Sequence, residues 1–222
     1  GLVAEPVLEF AHVDSVPVPW FPPVAALAAG AVLYGVLVER RWFRVVRRRV
    51  PILPAGGPGT LTVLHLSDLH VVRGDRAKAR FLASLPRADV TVVTGDFLAE
   101  PEAVERAVEL VRPARGRVAS WFVLGSNDYY VSRPANPFRY FVPHRLRRSR
   151  RATWGRSADL VRLLAADGWE DLTNRRRDAE VAGLAIELLG LDDAHIRRHD
   201  LRVAPRTAPE RFGIAVMHSP DS

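Results

Sequence analysis

Leu61-Thr62-Val63-Leu64-His65-Leu66 is a compact apolar run that passes directly into Ser67-Asp68-Leu69-His70, and the rest of the chain repeats this pattern. Val92-Val93-Thr94 leads into Gly95-Asp96, Val123-Leu124 into Gly125-Ser126-Asn127-Asp128, Leu188-Leu189 into Gly190-Leu191-Asp192-Asp193, and Val216-Met217 into His218. Short aliphatic runs of this kind suit strands covered on both faces. They predict strands at Leu61–Leu66, Asp89–Thr94, Val118–Leu124, Ala185–Leu191 and Phe212–Met217.

Helical patterns fill the gaps, at Arg76–Leu85, Pro101–Val111 and Ala158–Ala166. The alternation is that of an α/β fold. Asp75 and Ser157 stand where they can cap the first and third helices, Pro101 suits a first helical turn, and Gly168 follows the third helix where a left-handed residue often ends one. In open α/β sheets ligands bind outside the carboxyl ends of the strands, so the Asp, His and Asn side chains found there converge on one site. Singly, each is ordinary turn chemistry. Together they are harder to dismiss, because random turns would supply Ser, Gly, Lys and Thr as often.

With 222 residues, 48% of them hydrophobic, the chain can build one domain with a substantial core plus an appendage, which excludes a disordered chain. It has no cysteine, so disulfides, thiolate metal sites and cysteine nucleophiles are excluded. Any metal must be held by nitrogen and oxygen, and mixed imidazole and carboxylate ligands suit Mn, Fe or Zn better than Ca or Mg. The formal charge of +7 is carried almost wholly by arginine, with Lys78 the only lysine. Arginine as a generic surface residue accounts for that excess at least as well as a dedicated polyanion-binding face.

The chain divides into an N-terminal segment 1–19, an uncharged stretch 20–38, a basic linker 39–59 and a domain 60–222. Trp20 to Val38 is close to the roughly 20 apolar residues that cross a bilayer as a helix. Acidic Glu5, Glu9 and Asp14 precede it, while Arg40, Arg41, Arg44 and Arg47 to Arg49 follow. The positive-inside rule then predicts membrane association with the later residues in the cytoplasm. The competing expectation is an Ala-rich helix packed on a cytoplasmic domain. Between Asp128 and Ser157 lies an insertion rich in aromatic residues and arginine, including Arg145 to Arg151.

At the strand ends the sequence resembles the calcineurin-like metallophosphoesterases, and Asp68-Leu69-His70 behind a hydrophobic segment is similar to their membrane-associated bacterial branch. The resemblance implies a layered fold of two sheets flanked by helices. It also implies a two-cation centre with Asp68 and His70 on the first metal, Asp96 bridging, and Asn127 and His218 on the second. Gly125-Ser126-Asn127-Asp128 departs from the family's Gly-Asn-His-Asp. A one-residue shift keeps Asn127 as ligand and moves Asp128 to the histidine's place, which makes Asn127 and Asp128 the catalytic candidates. The family's closing Gly-His-x-His does not follow His218, so the domain reads as C-terminally incomplete and this fragment as one that could be inactive.

The implied reaction is hydrolysis of a phosphate monoester or diester by a hydroxide bridging two divalent cations. A membrane anchor would make a lipid-linked phosphate the more attractive substrate. Two rivals stand beside it. One is a catalytically silent basic module that binds an anionic membrane or nucleic acid through Arg145–Arg151 and Arg175 to Arg177. The other is a metal-dependent nuclease, disfavoured because no regular stacking platform of aromatic residues is present.

Overall fold

The computed structural model of the chain describes residues 21–39, 42–55, 57–130 and 154–219. It divides into two compact units, Gly1–Val45 and Val46–Ser222. In the first, α1 covers Phe21–Leu37. Its large apolar side chains, Val24, Leu27, Val32 and Leu33 among them, are exposed. A helix is thus found where the bilayer span was expected, but its 17 residues reach only about 25 Å, short of a hydrocarbon core of about 30 Å. Among the described residues no helix is long and apolar enough to cross a membrane. The segment 1–19 and Arg145–Arg151 lie outside the described residues.

The second unit holds two sheets. The first is fully parallel, in the order β1 (Val63–Leu66), β2 (Val90–Thr94), β3 (Ala119–Val123) and β4 (Glu170–Asp171). The second runs β5 (Arg175–Val181), β6 (Leu184–Gly190) and β7 (Phe212–Val216), with β5 antiparallel and β7 parallel to β6. Side chains alternate across a strand, and β2 and β3 use both faces. Val90, Val92, Trp121 and Val123 join Leu172, Val181, Ile186 and Leu188 in a core between the sheets. Val93 and Phe122 face the opposite core.

That second core is closed by α2 (Arg76–Ser84), α3 (Val104–Val111) and α5 (Ser157–Ala166). At eight residues, α3 is too short to persist alone. It persists because Val104, Ala107, Val108, Leu110 and Val111 are buried, each Val or Leu side chain contributing about 1.5–3 kcal/mol. Asp75 caps α2 as expected, accepting from the Lys78 amide at 3.1 Å, and Gly168 takes a left-handed φ of 84° beyond α5. Ser157 is not a cap. It is the first residue of α5, and Arg156 precedes it with no side-chain cap.

The five expected strands are all present, and two further ones, β4 and β5, complete the sheets. β5 carries Arg175, Arg176 and Arg177, expected on the rival reading to face a polyanion. Each has an acidic neighbour: Arg176 meets buried Glu187, while the exposed Arg177 lies 2.5 Å from Glu170 and the exposed Arg175 lies 3.6 Å from Asp171. Glu187 also accepts from Arg206 and from the Thr207 and Ala208 amides, which ties the loop before β7 across the outer face of β6.

Candidate metal centre

Beyond the carboxyl ends of β1 and β2 the two chains stay paired after the strands end. The amides of Asp68, His70 and Val71 donate to the carbonyls of Gly95, Asp96 and Phe97 at 3.2, 2.9 and 2.7 Å. This pairing forces three non-glycine residues into the left-handed region, Asp68 at φ 54°, His70 at φ 40° and Asp96 at φ 56°. L-residues visit that region at a cost, and such conformations concentrate at functional sites. Lys78 on α2 braces the turn from outside, donating to the Leu69 and His70 carbonyls while pairing with Asp75.

Asp96 is the pivot, with only 6% of its side chain exposed. The His70 Nε2 lies 3.6 Å from its Oδ2, and the His218 Nε2 lies 3.6 Å from its Oδ1. Asp68 Oδ1 stands 3.9 Å from the His70 Nε2. The ligand atoms of Asp68, His70 and Asp96 all lie within 4.8 Å of one another, spacing suited to a single cation. His218 is held by Nδ1, which donates to the Thr94 carbonyl at 2.7 Å. That bond leaves the Nε2 lone pair facing a carboxylate oxygen, an arrangement that calls for a proton or a cation between them. Burial alone would lower the His218 pKa, but the Thr94 carbonyl and the charges of Asp96, Asp68 and Asp193 outweigh it, and the net shift is upward. Donor types and spacing therefore fit divalent metal binding.

Gly125 makes the approach possible. A Cβ there would stand 2.3 Å from Asp96 Oδ1 and 3.0 Å from the His218 ring. The next residues form a single helical turn, α4 (Ser126–Tyr129). From it Asn127 donates its backbone N–H to Asp96 Oδ1 at 2.9 Å and its side-chain amide to Oδ2. It thus stands beside the pivot as expected, with the amide nitrogen toward Asp96. A half-turn of the amide would present the oxygen instead.

The other catalytic candidate, Asp128, does not reach the cleft. It is fully buried, with Oδ1 accepting from the Leu98 amide at 3.1 Å and Oδ2 from the Gly125 amide at 3.0 Å. Burial first, and then the Asp96 charge, push its pKa up to about 7 against the amides of Gly125, Leu98 and Phe97. The raised pKa matches what a leaving-group acid needs, but the location does not: Asp128 joins the turn after β3 to the turn after β2. His65, inside β1, bonds Thr94 Oγ1 at 2.8 Å.

A cleft of about 260 Å³ opens on this cluster, lined by Asp68, Ser126, Asp193, His195, His218 and Ser219. Asp192 is structural, accepting from Tyr129 Oη at 2.8 Å and Arg198 Nε at 3.1 Å. Asp193 differs: Oδ1 accepts from the His195 amide at 2.8 Å, while Oδ2 is buried without a hydrogen-bond partner among the described residues. His195 and Ser219 were not singled out in the sequence. The strand-end rule could have found His195, two residues beyond the Asp pair that follows β6.

Comparisons with known proteins bear on this geometry. An uncharacterized metallophosphoesterase of Bacillus subtilis (strain 168), YkoQ, is 23% identical over 169 residues, covering 72% of this chain and 54% of the relative. The chain thus spans about half the length of that curated relative. The phosphopantetheinyl hydrolase PptH of Mycobacterium tuberculosis superposes with a TM-score of 0.38 at 18% identity, over 58% of this chain and 41% of that one. The family model for calcineurin-like phosphoesterases matches residues 61–222, the stretch that carries both sheets and the Asp96 cluster. On that match the chain belongs to the calcineurin-like phosphoesterase family.

Proposed function

We propose that the chain hydrolyses a phosphate monoester or diester using two divalent cations, such as Mn, Fe or Zn, held by Asp68, His70, Asp96, Asn127 and His218. The observation that carries this is the placement of buried Asp96 between two imidazoles, each 3.6 Å from a different carboxylate oxygen. When bound, such cations supply Lewis acidity and a water of lowered pKa. The chain's own residues do the positioning. The Asn127 amide fixes one oxygen of Asp96, and the Thr94 carbonyl aims the His218 imidazole. The cleft beside Asp68 and His218 admits the ester.

The decisive assay is hydrolysis of a generic aryl phosphodiester by the full-length protein with added manganese, beside its Asp96→Asn variant. Turnover is expected to vanish on chelation, return with manganese, and fall by about a hundredfold or more in the variant. Turnover indifferent to both chelation and the substitution would defeat the proposal.

A further inference from the structure

Breaking the ester bond of an unactivated phosphate leaves an alkoxide that needs a proton, and a positioned acid speeds that step by about 10²–10⁴-fold. The turn after β3 does not supply one. Ser126 and Asn127 are not acids in the neutral range, and Asp128 is fully buried with both oxygens on backbone amides. Of the cleft's other residues, Asp68 and His218 turn toward the Asp96 cluster, Asp193 is fully buried with Oδ1 on the His195 amide, and Ser219 is a hydroxyl.

We infer that His195 is the catalytic acid that protonates the departing oxygen, an assignment that rests on the phosphoesterase reading above. His195 lines the cleft, is exposed, and comes from the loop after β6, on the wall formed with Asp193. Its backbone is pinned. The His195 amide donates to Asp193 Oδ1, and the Asp193 amide in turn donates to Asp192 Oδ1 at 2.8 Å, with Asp192 anchored by Tyr129 and Arg198. An imidazole is the side chain whose ordinary ionisation lets it hold and release a proton near neutrality. The ionisable groups that share the cleft with it are Asp68, Asp193 and His218.

The step balances. As a water oxygen bonds phosphorus, the bond from phosphorus to the leaving oxygen breaks and its electron pair stays on that oxygen, which takes the imidazolium proton of His195. The attacking water's proton passes to solvent, and His195 is reprotonated from solvent before the next turnover.

The test compares the full-length protein with its His195→Gln variant on two esters, a 4-nitrophenyl phosphate, whose leaving group departs without help, and an alkyl phosphate, whose leaving group does not. Bound metal is counted in both proteins. The expected result is unchanged metal content and a loss about a hundredfold greater on the alkyl ester than on the 4-nitrophenyl ester. Equal losses on the two esters, or a loss of metal, would overturn the assignment while leaving the phosphoesterase reading intact. Absence of metal-dependent turnover in the unsubstituted protein would remove that reading, and the role of His195 with it.

Discussion

Gly125 shows how little room the centre leaves. Its φ of −119° is open to any residue, so conformation is not what requires glycine. Space is: an added methyl would stand 2.3 Å from Asp96 Oδ1 and 2.6 Å from the Asp96 amide, and neither can yield without moving the pivot. Gly125→Ala should therefore keep the fold yet weaken metal binding by about tenfold or more, read by titration calorimetry with manganese. Wild-type affinity in that variant would mean that Asp96 is not where the metal sits. At this scale the sequence was legible wherever a polar side chain closed an apolar run, which singled out Asp68, His70, Asp96, Asn127 and His218 as neighbours, while their roles toward a metal rested on the family resemblance. It was not legible for Asp128, because burial and two backbone amides, not residue type, separate a catalytic acid from a structural carboxylate. His195 escaped because the strand-end rule was stopped at the Asp192-Asp193 pair, two residues before it.

At the scale of elements, Asp89 shows how short strands are stapled together. Its Oδ2 accepts from the Thr62 amide at 2.8 Å and from the Thr62 hydroxyl at 2.5 Å, while Arg117 meets Oδ1 at 2.6 Å, so the entrances to β1, β2 and β3 share one carboxylate. The Thr62 bonds first, then Arg117, hold its pKa down to about 2. A carboxyl whose folded pKa is depressed contributes stability that is present above its unfolded pKa and is lost as pH falls through the folded one. The contribution should fade between about pH 4 and pH 2 and amount to about 1 kcal/mol, since the group is largely solvent-screened. Asp89→Asn should lower the unfolding free energy at pH 7 and flatten its fall over that acid window in denaturant titrations. An unchanged acid slope would refute the staple. Strands β1, β2, β3, β6 and β7 announced themselves as predominantly apolar runs, with Glu187 the one charged residue among them. β5 did not, because its seven residues, Arg175–Val181, include five charged ones that read as a solvated patch, and only the pairing of Arg176 with buried Glu187 marks the run as part of a sheet.

Across the whole molecule, both buried clusters, with every residue packed against them, lie at or beyond Leu53. A chain begun at Val46 therefore keeps its entire described core. Its thermal midpoint should fall within about 3 °C of that of the longer chain by calorimetry, since a shift of that size already corresponds to roughly 1 kcal/mol. A drop of ten degrees or more would show that residues 1–45 contribute to folding. The general α/β architecture followed from alternation alone. The pairing of two sheets rested on the family resemblance, because no local pattern tells β6 to leave the first sheet and join β5.

The left-handed backbone at Asp68, His70 and Asp96 bears on how this family changes over time. Each such residue costs about 1 kcal/mol that a glycine would not incur. On the function proposed above, it is activity rather than durability that these side chains serve. A duplicated gene relieved of that selection would gain sturdiness by losing them, so decay of the centre should run ahead of decay of the fold. On the proposed function, an intact Asp68, His70 and Asp96 among descendants is accordingly a sharper sign of retained activity than an intact core.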